Sequence, residues 1–119
     1  MAKTLYKNKN LYAVRIGWEM NGNWYPWSVT GTGGYNQSPA NYIAVFQRMA
    51  NIFRANAPGV KIEWSTNWCY TSSYGSSNTP LINYWPGKQY VDIISMDIYE
   101  KDQGASNPFS FTAYQGVYI

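Results

Sequence analysis

The chain has 119 residues, 13% charged and 18% aromatic, with a net charge of +3, one cysteine and no histidine. That length suits about one small domain, and so many aromatics with so few charges argue against disorder. The lysines are scattered without forming a basic stripe, which excludes a nucleic-acid footprint. Serine-triad and zinc chemistry lack their histidines, and Cys69 has no partner for an internal disulfide, so neither a metal nor a cofactor is expected. No apolar run approaches the roughly 20 residues of a membrane span. Residues 1–10 are polar, without the apolar core of a signal peptide.

In chain order, residues 11–18 (LYAVRIGW) read as a strand rich in branched side chains. Residues 19–37 hold Asn-Gly, Tyr-Pro and Gly-Thr-Gly-Gly turns and no helical period, so they read as loop. Ser38-Pro39 starts a helix over 39–56, with serine as N-cap and proline in the first helical position. Tyr42, Val45, Phe46, Met49, Ile52 and Phe53 give that helix one apolar stripe, and Ala57-Pro58-Gly59 ends it. A second strand covers 60–66. The stretch to Gln89 is loop-like, with one short helical turn near Leu81 to Tyr84. A third strand over 90–99 (YVDIISMDIY) is nearly continuous and apolar, as a strand buried on both faces would be. Strand, helix, strand, loop, strand is the order of an α/β parallel sheet with right-handed crossovers. No internal repeat is visible.

Strand alternation sharpens the picture. Arg15, Gly17 and Glu19 share one face of the first strand. Glu63, Ser65 and Asn67 align on the second, and Ser95, Asp97 and Tyr99 on the third. Each strand thus has one apolar face and one that turns polar toward its C-terminal end. In a parallel barrel the polar face points inward and the active site sits at that rim. At the first strand's end Glu19 stands among Asn21, Asn23, Trp24, Tyr25 and Trp27. A carboxylate among aromatics and amides suits sugar-bond chemistry: rings stack on pyranose faces, amides bond hydroxyls, and the acid protonates a glycosidic oxygen.

The segment Arg15-x-Gly-Trp-Glu-Met-Asn-Gly-Asn-Trp-Tyr-Pro-Trp27 resembles the fourth-strand motif of family 26 glycoside hydrolases, the β-mannanase group of the retaining (β/α)8-barrel clan. Trp64-Ser-Thr-Asn67 resembles that group's fifth strand, and Tyr84-Trp-Pro-Gly with residues 90–99 its sixth. The resemblance implies that residues 1–119 are a single incomplete catalytic domain, the middle of a TIM barrel that typically needs about 250 residues. It implies a retaining endo-β-glycanase acting on a plant or microbial polysaccharide, β-1,4-mannan foremost and β-glucan next. The parent enzyme would be secreted. Glu19 becomes the general acid/base. Arg15 becomes a buried cation ordering site carboxylates, or equally an ion-pair partner of Glu63. Tyr99 would hydrogen-bond the nucleophile, or simply pack at a strand end. Trp18, Asn21, Trp24, Trp27, Asn67 and Trp68 would bind substrate, with Trp85 a weaker candidate. For the tryptophans the alternative is packing under the loop, and for Asn21 and Asn23 the Asn-Gly turn. The best-known members carry histidine before the acid where this chain has Trp18, a departure that bears on the mannan assignment more than on the reaction.

A retaining glycosidase also needs a nucleophilic carboxylate, which by the resemblance lies beyond Ile119. Asp97, better explained as structural, and Glu100 are poor substitutes, so the chain is expected to be inactive alone. Two open sheet edges would favour self-association. Two readings of other classes remain. A non-catalytic carbohydrate-binding module predicts a sandwich of short antiparallel strands, and a structural domain predicts Glu19 salt-bridged away from the aromatics.

Overall fold

The computed structural model describes residues 11–29, 38–67 and 81–97. Within them β1 (Ala13–Arg15), β2 (Lys61–Asn67) and β3 (Ile93–Asp97) form a parallel sheet in the order β1-β2-β3. Helix α1 (Pro39–Asn56) lies between β1 and β2 in sequence, and a 3-10 turn, Leu81–Tyr84, precedes β3. Arg15 lies opposite Glu63, Ser65 opposite Ser95, and Asn67 opposite Asp97. The parallel α/β arrangement is the expected one, and it argues against an antiparallel sandwich.

Helix α1 runs over the expected residues because its entrance is chemically specified. Ser38 is extended, its hydroxyl accepts from the Asn41 backbone N–H at 3.1 Å, and Pro39 follows without losing a needed donor. The buried face is narrower than the apolar stripe in the sequence. Tyr42, Phe46 and Ala50, spaced by four, enter the core, while Val45, Met49 and Ile52 are exposed. Residues four apart stack along one line of a helix, and that line is fully buried, with Ile43 and Phe53 half-buried beside it. The core gathers around it: Ile16 and Met20 from the β1 end, Ile62 and Trp64 from β2, with Val29, Ala57, Val60 and Tyr84.

Two strands are shorter than their apolar runs. The expected first strand, 11–18, keeps its ladder only over Ala13–Arg15. The Ile16 N–H still donates to the Glu63 carbonyl, and two residues later regular pairing would bring Trp18 to Ser65. Glu19 donates to Ser65 instead, at 2.9 Å. One extra residue is therefore inserted here, with Gly17 and Glu19 at φ +52° and +53°, a bulge that ends the strand. The third strand begins at Ile93 rather than 90, because the Tyr90 N–H closes a turn onto the Gly87 carbonyl; residues 98–99 lie outside the described residues. Nor is β3 buried on both faces. Ile94 and Met96 share the side of Trp64 and Thr66 yet are exposed, outside the core that α1 builds over β2.

Asp92 ties the start of β3 to both neighbouring elements. Its carboxylate accepts from the Ile62 N–H at 2.9 Å and pairs with Arg54 of α1 at 3.1 Å, and Arg54 also donates to the Gln89 carbonyl. Burial pushes this carboxyl up, but the Ile62 N–H and the Arg54 guanidinium outweigh it and hold it below its ordinary value. A folded-state value below the unfolded one means that the unfolded chain binds the proton more tightly. The stabilisation is therefore complete above the ordinary carboxylate range and is lost as pH falls through the lowered value. Asp92→Ala is expected to cost about 1 kcal/mol at neutral pH, the partly exposed pair counting for little and the lost bond from the Ile62 N–H for most. It should also flatten the acid limb of stability against pH, which urea midpoints between neutral pH and pH 3 would measure.

Candidate active site

Glu19 is a buried acid, 4% exposed, at the C-terminal end of β1. Its backbone is held on both sides: the N–H donates to Ser65, and its carbonyl accepts from Gly22 at 2.9 Å, closing a tight turn over residues 19–22. Met20 plugs that turn into the core. Behind it, the Tyr42 hydroxyl of α1 donates to the Gly17 carbonyl at 3.2 Å, and burial raises the Tyr42 phenol far above its ordinary value. Glu19 is the one non-glycine at positive φ among the described residues. Such a conformation costs on the order of 1–3 kcal/mol and persists where the surroundings over-determine it, as they do here.

Both carboxylate oxygens are engaged. Oε1 accepts from Asn67 Nδ2 and Oε2 from the indole Nε1 of Trp24, each at 2.9 Å. Asn67 is itself fastened by Asn21, whose amide donates to the Asn67 carbonyl and accepts from the Asn67 N–H, again at 2.9 Å each. The Asn21 side chain thus pairs with the end of β2 as a neighbouring strand would. Trp24 lies against Gly22 so closely that a Cβ there would come within 2.5 Å of the indole ring. Only a glycine lets the ring reach Glu19 in this pose.

Beside the acid, Trp18, Tyr25 and Trp27 pack into one aromatic group. Tyr25 and Trp27 are stacked at 4.7 Å between ring centres, and Trp18 meets Trp27 at 4.9 Å and Tyr25 edge-on at 5.4 Å. Their polar ends are satisfied within the group: Trp18 Nε1 donates to the Tyr25 hydroxyl and Trp27 Nε1 to the Trp18 carbonyl. Ser28 closes a turn on Tyr25 through both its backbone and its hydroxyl. Half-buried rings pinned in this way make a rigid apolar surface with little ordering entropy left to lose. Trp24, 38% exposed, is the most open of the described tryptophans at this end.

On the polar face of the sheet the Arg15 guanidinium bridges Glu63 on β2, at 2.8 Å, and Asp97 on β3, at 2.9 Å. The hydrogen bond to Glu63 raises Arg15 above its ordinary value, against the opposing effect of burial and with Asp97 adding its charge. Burial pushes Glu63 up, and the bonds from Arg15 and Ser95 together with the Arg15 charge bring it below the usual carboxylate range. Arg15 was expected as a buried cation. Its side chain is 38% exposed, and its bonds go to this pair rather than to Glu19. It fastens three strands side by side, in keeping with the ion-pair and structural readings of Arg15 and Asp97.

Of the residues expected at the site, Glu19, Asn21, Trp24 and Asn67 come together directly, with Trp18 and Trp27 in the adjoining aromatic group. Among the described residues Glu19 makes no salt bridge and bonds to Trp24 instead, unlike what a purely structural reading requires. Asn21 serves the backbone of Asn67 as well as forming the turn. Trp85 packs edge-on against Trp64 at 5.2 Å, on the core side. Trp68, Tyr99 and Glu100 lie outside the described residues. Sequence reasoning missed Gly22 as the seat of Trp24, Tyr25 as the centre of the aromatic group, and Tyr42 as the prop behind Gly17. Tyr25 was discoverable, since it sits between two tryptophans. The other two are contacts that no local pattern encodes.

The sequence profile of glycosyl hydrolase family 26 matches residues 2–115. Endoglucanase H of Acetivibrio thermocellus is 39% identical over 82 residues, 68% of this chain and 9% of that protein. Mannan endo-1,4-beta-mannosidase A and B of Caldalkalibacillus mannanilyticus is 32% identical over 85 residues, 71% of this chain and 15% of that protein. Mannan endo-1,4-beta-mannosidase of Bacillus subtilis is 28% identical over 97 residues, 81% of this chain and 24% of that protein. The chain thus spans 9 to 24% of the length of these relatives.

Proposed function

Because the chain belongs to glycosyl hydrolase family 26, we propose that it carries the acid/base half of the active site of a retaining endo-β-glycanase whose substrate is β-1,4-mannan. In this reading β1, β2 and β3 are the fourth, fifth and sixth strands of a (β/α)8 barrel, and the chain is part of one catalytic domain. The observation that carries the proposal is the Glu19 carboxyl, buried at a strand's C-terminal end, held at both oxygens and flanked by a pinned aromatic surface. That is the position at which barrel enzymes place their chemistry.

Glu19 donates its proton to the glycosidic oxygen while a second carboxylate attacks the anomeric carbon, so that the C–O bond breaks and a glycosyl-enzyme forms. The Glu19 carboxylate then takes a proton from water, which attacks the same carbon and frees the second carboxylate. None of the other described acids suits that second role: Glu63 and Asp97 are bound to Arg15, and Asp92 is committed to Ile62 and Arg54. A nucleophile about 5–5.5 Å from Glu19 therefore comes from outside the described residues. Trp24 and the Trp18–Tyr25–Trp27 group offer the apolar faces on which pyranose rings stack. A substrate of polymer size supports an extracellular site of action.

Mannan is preferred because it stands in the names of two of the three relatives, while Endoglucanase H keeps a glucan as the competing substrate. Assay of the full-length parent protein on both polymers, with the anomeric configuration of fresh products followed by proton NMR, tests the reading. Faster cleavage of mannan with β-configured products is expected. Products of inverted configuration would overturn the mechanism, and faster cleavage of glucan would overturn the substrate.

A further inference from the structure

We infer that Asn67 is a positioning residue for the acid/base, aiming the Glu19 carboxyl through one hydrogen bond and itself aimed by Asn21; the inference rests on the acid/base reading of Glu19. The geometry is unusually over-determined for an asparagine. Its side-chain amide donates to Glu19 Oε1, while its backbone N–H and C=O are both taken by the Asn21 amide. Asn67 is the last residue of β2, 7% exposed, in register with Asp97 on β3. Its Cα is fixed by the sheet and its peptide groups by Asn21, so its side chain has little freedom left. An acid on a bulge at φ +53° stands outside the regular ladder, its backbone reaching β2 only through the N–H to Ser65. The sheet supplies that orientation from the next strand, through this amide.

The role differs from binding a sugar hydroxyl, the use first expected of Asn67. A hydroxyl-binding asparagine points free donors and acceptors at the substrate, and its loss raises KM or weakens every substrate alike. A positioning asparagine acts only through Glu19, so its loss is felt where proton delivery limits the rate. Misplacing a catalytic group by about 1 Å costs on the order of 100-fold. Trp24 remains as the second donor to Glu19, so the carboxyl would be loosened rather than lost.

Leaving-group dependence separates these roles. In the full-length protein, Asn67→Ala is expected to lower kcat/KM on β-1,4-mannan by on the order of 10- to 100-fold. On a dinitrophenyl β-mannobioside the loss should stay below about 3-fold, because the departing phenolate needs no proton. The second variant, Asn67→Leu, is close in shape and keeps the backbone pairing with Asn21, so it removes the donor without placing a second carboxyl beside Glu19. It should show the same split. Equal losses on both substrates, or no loss on mannan, would overturn the inference. Glu19→Gln measured alongside keeps the two claims apart. If Glu19→Gln shows the split and the Asn67 variants do not, only the positioning role fails; if Glu19→Gln does not show it, the acid/base reading itself fails.

Discussion

Glu19→Gln in the full-length protein is expected to lower kcat/KM on β-1,4-mannan by about 10²- to 10⁴-fold, the range over which a positioned acid or base contributes. The substitution preserves shape and removes the titratable proton. It also changes the local hydrogen bonding. Both neighbours of the carboxyl are donors, Asn67 Nδ2 and Trp24 Nε1, and an amide offers them a single oxygen. Asn67 can turn its own amide over to present its oxygen, whereas the indole of Trp24 can only donate. The new amide should therefore set its oxygen toward Trp24 and its nitrogen toward the reversed Asn67. That rearrangement costs about 1 kcal/mol of stability or less, so thermal melts should barely move while turnover collapses. A loss smaller than 10-fold, with the melt unchanged, would remove Glu19 from the mechanism.

Gly17→Ala is expected to destabilise the protein by about 2–3 kcal/mol, and for two separable reasons. The first is backbone conformation: at φ +52° a side chain costs about 1–2 kcal/mol. The second is a close approach, since the added Cβ would sit 3.0 Å from Cε2 of Tyr42, a side chain buried in the core and tied to the Gly17 carbonyl. Gly59→Ala is the matched control. That glycine is also left-handed, at φ +88°, but a Cβ there meets nothing within 4 Å. The difference between the two denaturant midpoints measures the Tyr42 contact. Equal costs would mean that α1 does not brace the turn. Because Glu19 lies two residues beyond Gly17, the Gly17 variant should also lose activity that the Gly59 variant keeps.

Much of the scaffold was readable from local chemistry. Ser38-Pro39 and the fourfold spacing of Tyr42, Phe46 and Ala50 specify α1 without reference to the rest of the chain. Alternation in β2 and β3 put Glu63, Ser95 and Asp97 on one face, where Arg15 joins Glu63 to Asp97 and the Ser95 hydroxyl donates to Glu63. The motif from Arg15 to Trp27 singled out Glu19, and the structure buries that carboxyl between two donors, Asn67 and Trp24. The width of the helix's buried face was less legible. Val45, Met49 and Ile52 share the helical period of the core residues, and a period records amphipathicity without recording how much of the apolar face a neighbour will cover.

The sequence by itself determined the helix and the two-faced strands, because each follows from side-chain types at fixed spacings along one segment, and its resemblance to family 26 pointed to the family and to Glu19 as the proposed acid. Only the tertiary structure decided how that acid is held. Alternation carries Glu19 to the polar face along a straight strand, whereas the chain reaches it through an extra residue and two left-handed turns. Those turns persist because Tyr42, Ser65 and Asn67 grip them from other elements. Asn67 lies 48 residues from the carboxyl it orients. A local pattern cannot encode a partner at that separation, which becomes a neighbour only once β2 has paired with β1.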